Sequence, residues 1–173
     1  MTSDDPGEAR PKILVAAIGN PDRGDDGVGP LVAQKLLGRI PAGAKVVVRS
    51  GDMMSLIEDW ADVDALICVD AAALRGSPGR VYRIDLAEEA LPPELSFTSS
   101  HAFGLAEAIE LARVLELAPK QIVVYAIEGA SFDTGAPFTP AVLSAATEVA
   151  DRIAGEVCRI LNAASGPKHG TRA

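Results

Sequence analysis

KILVAAIGNPDRGDDGVGP, residues 12–30, decides the fold of this chain. Residues 12–18 form a short apolar run that stops at Gly19, the pattern of a strand buried on both faces. Four glycines and two prolines crowd into residues 19–30 and mark a tight loop. From Val28 to about residue 39 the apolar residues Val28, Leu31, Val32, Ala33, Leu36 and Leu37 recur at helical spacing, and Pro30 suits a first turn. Strand, glycine turn and helix in this order open a parallel α/β unit. Loops of this form usually cradle phosphate, yet this one carries Asp22, Asp25 and Asp26. Carboxylates repel phosphate, so the group expected at this loop is a cation.

Working outward, residues 44–49, 65–69 and 121–127 read as further buried strands. Residues 79–84 alternate and suit an edge strand. Residues 53–60 and 140–162 read as helices, and a third is expected from a cap at Ser99 or Ser100 to about Leu117. Residues 85–98 read as an irregular, acidic connection. The expected architecture is α/β, a three-layer α/β/α sandwich on a mostly parallel twisted sheet of about five strands. Residues 1–173 are expected to form one domain, with 1–11 and 164–173 as flexible tails.

Composition narrows the functional classes. The net charge is −8, with no Lys/Arg cluster to offset it, which argues against a nucleic-acid partner. No apolar run reaches the roughly 18 residues needed to span a bilayer, so no membrane insertion is expected. Residues 1–11 are polar and lack the pattern of a secretory leader. Cys68 and Cys158 lie far apart and are expected to be reduced and mostly buried, as in a cytoplasmic protein. Aromatic residues make up 4% of the chain, so aliphatic side chains must fill the core.

Topology brings three polar groups to one rim. Ligands of open parallel sheets bind beyond the carboxyl ends of the strands, at the point where strand order reverses. Asp25 and Asp26 leave the first strand, and Asp70 ends the third. His101 sits where a helix running opposite to the strands is expected to begin. With the second strand outside the first, Asp26 and Asp70 flank the crevice. Two carboxylates and an imidazole make an N/O site for a divalent metal with room for a further ligand. A helix N-terminus also disfavours imidazolium and so keeps a histidine fit for coordination. The glycines would let backbone approach whatever is bound. Each residue also has a plain structural reading. Asp25 and Asp26 stabilise a helix start, Asp70 caps a turn, and His101 packs or lies on the surface. It is their convergence that favours the metal.

Other motifs fail on spacing. The order Gly24, Gly27, Gly29 is not a dinucleotide fingerprint, no GK[ST] follows, and an EF-hand starting at Asp22 would put Ala33 where a glutamate is required. Asp133-Thr134-Gly135 matches the tripeptide of aspartic proteases, but those are β-rich and need two copies. It reads as a turn, on a loop where Glu128 or Asp133 is still placed to touch a substrate. No nucleophile elbow accompanies Ser99 and Ser100.

Ile18-Gly19-Asn20, Asp25-Asp26-Gly27-Val28-Gly29, Val69-Asp70-Ala71, and Ser100-His101 with Gly104-Leu105 together resemble the hydrogenase maturation protease family. The resemblance runs over about residues 12–155 and includes the segment from Val123 to Val142. It implies an endopeptidase that removes the C-terminal extension of a [NiFe] hydrogenase large-subunit precursor. It also implies that Asp26, Asp70 and His101 bind metal. The metal would be nickel delivered in the substrate, and no organic cofactor is implied. Either the metal polarises the scissile carbonyl or activates water, or Asp26 or Asp70 serves as general base. Asp22 stands where the family often has an apolar residue, and Ser100 replaces a common Thr. The rival readings are a non-catalytic nickel-binding chaperone module and a metal-dependent hydrolase of small amides.

Overall fold

The computed structural model describes residues 10–73, 75–93, 95 and 104–166. Five strands, β1 (Ile13–Ile18), β2 (Ala44–Arg49), β3 (Ala65–Ala72), β4 (Val81–Asp85) and β5 (Gln121–Glu128), form one sheet in the order β2-β1-β3-β5-β4. All neighbours are parallel except β4, which runs antiparallel to β5 at the edge. The helices are α1 (Val28–Leu36), α2 (Met53–Trp60), α3 (Leu105–Val114) and α4 (Pro140–Ala164). The three-layer α/β/α sandwich expected from the sequence is therefore the fold.

Each face of the sheet buries its own core. Val15, Ala17, Ile67, Val69 and Val123 point toward α1 and α4 and meet Val32, Leu36, Val149 and Ile153. The alternate residues Leu14, Ala16, Leu66, Cys68 and Val124 point toward α2 and α3, where they meet Leu56, Trp60 and Ile109. Period-two alternation thus feeds both layers, and the interior strands read as unbroken apolar runs. The β1–α1–β2 and β2–α2–β3 connections step across the sheet in opposite directions. Right-handed crossovers therefore put their helices on opposite faces. This leaves the strand-order reversal, and its crevice, between β1 and β3.

Several expectations change in detail. α1 ends at Leu36, before Leu37 and Gly38, whose φ of +73° suits a helix stop. α3 starts later than expected. Its N-cap is Gly104, in extended conformation, and the Glu107 carboxylate accepts the Gly104 amide at 3.1 Å. The described helix begins at Leu105; the expected caps Ser99 and Ser100, and His101, fall in residues 96–103, outside the described residues. Both cysteines are free, but only Cys68 is buried; Cys158 is exposed on α4. Among the described residues, no helix is long and apolar enough to cross a membrane.

The α4 layer holds one buried charge. Glu156 accepts from the Tyr125 hydroxyl and pairs with Arg83. Burial opposes its ionisation, but Arg83 and Tyr125 outweigh that and hold its carboxyl below the usual range. A carboxyl held low in the folded state stabilises it above the unfolded pKa and ceases to as pH falls through the folded value. Asp25 and Glu128 are held low in the same way. The melting temperature is accordingly expected to fall steeply as pH drops below about 4, the ordinary carboxyl range. Glu156→Gln should flatten that fall in a pH series of thermal melts.

Candidate active site

The site lies at the carboxyl ends of β1 and β3. After β1 the chain turns at Gly19, whose φ of +146° only glycine tolerates and where a Cβ would overlap the Asp26 carbonyl oxygen. Residues 24–27 then form one 3-10 turn that runs into α1. A Cβ on Gly29 would overlap the Ile18 carbonyl. One on Gly24 would stand 2.6 Å from the Ser131 oxygen. The expectation that these glycines admit a bound group is corrected here. The space beside Gly19, Gly24 and Gly29 is filled by the protein's own backbone, which they allow to pack around the turn.

The turn buries Asp25 and Asp26, at 0% and 5% exposure, and Asp70 is 1% exposed. The two neighbours in the turn have different tasks. Asp26 Oδ2 accepts the Asn20 amide at 3.2 Å and lies 3.7 Å from Arg23 Nη1. Asp25 turns the other way, into the β5–α4 loop. Its Oδ2 accepts from the Ala130 and Ser131 amides and the Thr139 hydroxyl, and its Oδ1 accepts the Thr139 amide. Burial works against its charge, but the Thr139 hydroxyl and the three amides overcome it and hold the carboxyl below the usual range.

Asp70 does not end its strand, as the sequence suggested. β3 continues through Ala71 and Ala72, and Asp70 pairs with Ala126 of β5. A turn-capping role is thereby excluded. Alternation places Asp70 with Cys68 and Ala72, on the face covered by α2 and α3. Its Oδ1 accepts the Ala71 amide at 2.8 Å, while Oδ2 is buried with no hydrogen-bond partner among the described residues. Burial raises its pKa well above the ordinary value; the Ala71 amide opposes the shift, and the negative charge of Asp26 adds to it. A buried carboxylate oxygen left without a partner is costly and calls for a physical explanation. Perturbed carboxyls in a crevice at the strand-order reversal are the usual mark of a functional site.

The structure thus brings Asp26 and Asp70 within electrostatic reach of each other. His101 lies outside the described residues, among which no group of three His, Cys, Asp or Glu side chains is placed to hold a metal ion. Glu128, which seemed placed to touch a substrate, is occupied instead. It is fully buried and accepts the Arg75 and Ser77 amides at 2.5 and 2.8 Å, pinning the β3–β4 connection. Thr134-Gly135 is a turn, with Gly135 at a φ of +78°, and its amide bonds to the Asp22 carbonyl at 2.7 Å. No local pattern reveals the Asp25–Thr139 contact, because its partners are 114 residues apart.

Comparison with known proteins agrees with the fold. A solution structure of an endopeptidase from Escherichia coli superposes with a TM-score of 0.70 at 24% identity, covering 86% of this chain and 92% of that one. The hydrogenase maturating endopeptidase HybD from E. coli gives 0.69 at 22%, with 86% and 93% covered. A [NiFe] hydrogenase maturation protease from Thermococcus kodakarensis gives 0.66 at 24%, with 87% and 94% covered. These likenesses establish the shared fold. Comparison with curated protein sequences gives no match. The family model for hydrogenase maturation proteases matches residues 38–156, well over half of the chain, and the chain belongs to that family.

Proposed function

We propose that this protein is an endopeptidase that removes the C-terminal extension of a nickel-loaded [NiFe] hydrogenase large-subunit precursor in the cytoplasm. Asp26, Asp70 and His101 read the substrate's nickel. The observation that carries this reading is the buried Oδ2 of Asp70, without a hydrogen-bond partner among the described residues and beside the charge of Asp26. Burial and the nearby charge of Asp26 both penalise the Asp70 carboxylate, and a divalent cation relieves both at once. Carboxylate oxygens, with an imidazole, are donors that nickel accepts. The raised pKa of Asp70 favours its protonated form, and coordination of a cation works in the opposite direction. For bond cleavage, the same pair supplies what general acid–base hydrolysis requires: one carboxyl that holds a proton beside another that can accept one from water.

The test is incubation of the purified protein with a hydrogenase large-subunit precursor, nickel-loaded or nickel-free, followed by intact-mass measurement. The expected result is a mass loss equal to a C-terminal peptide, from the loaded precursor alone. Cleavage of both forms would remove the nickel reading and leave a protease. Retention of nickel with no cleavage would make the protein a metal-binding chaperone. Activity only on small amides would make it a simple hydrolase.

A further inference from the structure

Asp25 belongs to the acidic turn, yet neither of its oxygens is free for a ligand. All four hydrogen bonds it accepts come from residues 105 to 114 positions further along the chain. Its own amide donates to the Ser131 carbonyl at 2.8 Å, so one residue closes the junction through both backbone and side chain. Both sides are shaped for it. Gly24 admits the Ser131 oxygen, and a Cβ on Gly129 would stand 2.9 Å from the Asp25 Cβ. The Gly135 amide bonds to the Asp22 carbonyl and ties down the tip of the same loop. Successive side chains of a 3-10 turn point about a third of a revolution apart. Locking Asp25 into the loop therefore fixes the direction in which Asp26 leaves the turn.

We propose that Asp25 is a positioning residue. It holds the Asp26 carboxylate in its place in the crevice with Asp70 and makes the loop from Gly129 to Thr139 a fixed wall of the cleft that receives substrate. Its catalytic meaning rests on the function proposed above; the positioning itself does not. The Asn20 amide bonds directly to Asp26 Oδ2, so its hydrogen exchange reports where that carboxylate sits.

The experiment compares hydrogen exchange in the parent, Asp25→Asn, Thr139→Val and Thr139→Ser, together with kcat/KM on the nickel-loaded precursor. Asp25→Asn is expected to speed exchange at Ala130, Ser131 and Thr139 by at least about tenfold, as expected when hydrogen bonds lose a charged acceptor. The decisive result is a matching acceleration at Asn20, with kcat/KM falling by about 10–100-fold, the usual effect of removing a group that orients a ligand. Thr139→Val should do the same to a smaller degree, and Thr139→Ser should restore both readouts. Acceleration confined to the loop amides, with Asn20 exchange and kcat/KM at parental values, would show a purely structural pin and overturn the proposal. If Asp25→Asn does not fold, the Thr139 pair decides by the same criteria. A parent that processes no precursor would instead refute the proposed function, and Asn20 exchange would still decide the role of Asp25.

Discussion

Asp70→Asn is expected to reduce processing of the nickel-loaded precursor by about 10²–10⁴-fold, the range for losing a general acid–base group, while raising the melting temperature at pH 8. The two effects share a cause. The Asp70 carboxyl is buried, with one oxygen unpartnered among the described residues and the Asp26 charge nearby, and its folded-state pKa is well above 3.8. A group raised in this way contributes stability that is fully present below the unfolded pKa and is lost as pH rises through the folded pKa. As pH rises above the ordinary carboxylate range the native protein therefore carries a growing penalty, and an amide of the same shape removes the ionisation that causes it. For a chain of this size each kcal/mol recovered shifts the melting temperature by about 2–4 °C. The stabilisation should vanish near pH 3.5, where both states of the parent are largely protonated. Thermal melts of the two proteins across pH 3.5–8 provide the check. Asp26→Ala and His101→Ala are expected to match the loss of processing, and normal processing by the His101 variant would sink the three-residue site.

The second large effect is on folding. In Gly19→Ala the new methyl group meets the Asp26 carbonyl, which is backbone and cannot rotate away, at a φ of +146°. Overpacking typically costs about 1–3 kcal/mol, and a strained backbone conformation adds about 1–3 kcal/mol. A total of roughly 2–6 kcal/mol is a large part of the stability of an ordinary domain. A urea titration should show the midpoint fall by a large fraction, or no folded baseline at all. Gly76→Ala is the fitting control: its φ is also positive, at +103°, but nothing lies within 4 Å of the new methyl, so strain acts there without overlap. A loss no larger at Gly19 than at Gly76 would mean that the turn has room to relax.

The element order was legible because each buried strand needs a continuous apolar run and each surface helix a 3.6-residue stripe. β2 and α2 begin and end where those patterns do. Errors gathered at ends, where local pattern is weakest. Asp70 looked like the residue after a strand because it is charged, yet β3 pairs with β5 for two residues beyond it. A ladder is fixed by its neighbour, and the neighbour is 56 residues away at Ala126.

The sequence by itself determined the layered α/β sandwich and the rim on which Asp26 and Asp70 meet. Hydrophobic period and crossover handedness are local or near-local rules, and together they place the crevice between β1 and β3. The family resemblance pointed to Asp26 rather than Asp25, and only the tertiary structure supplies a physical reason to separate two adjacent aspartates. Asp25 and Asp26 are identical in chemistry and one position apart. They are told apart by the Ala130, Ser131 and Thr139 donors, which arrive from the far end of the chain and claim Asp25. Gly24, which read as access for a ligand, is space for that same docking, while Gly19 and Gly29 let the turn pack against its own backbone. Hydrogen bonds and close backbone contacts depend on distances of a few ångströms between segments remote in sequence, and those distances are set when the layers pack.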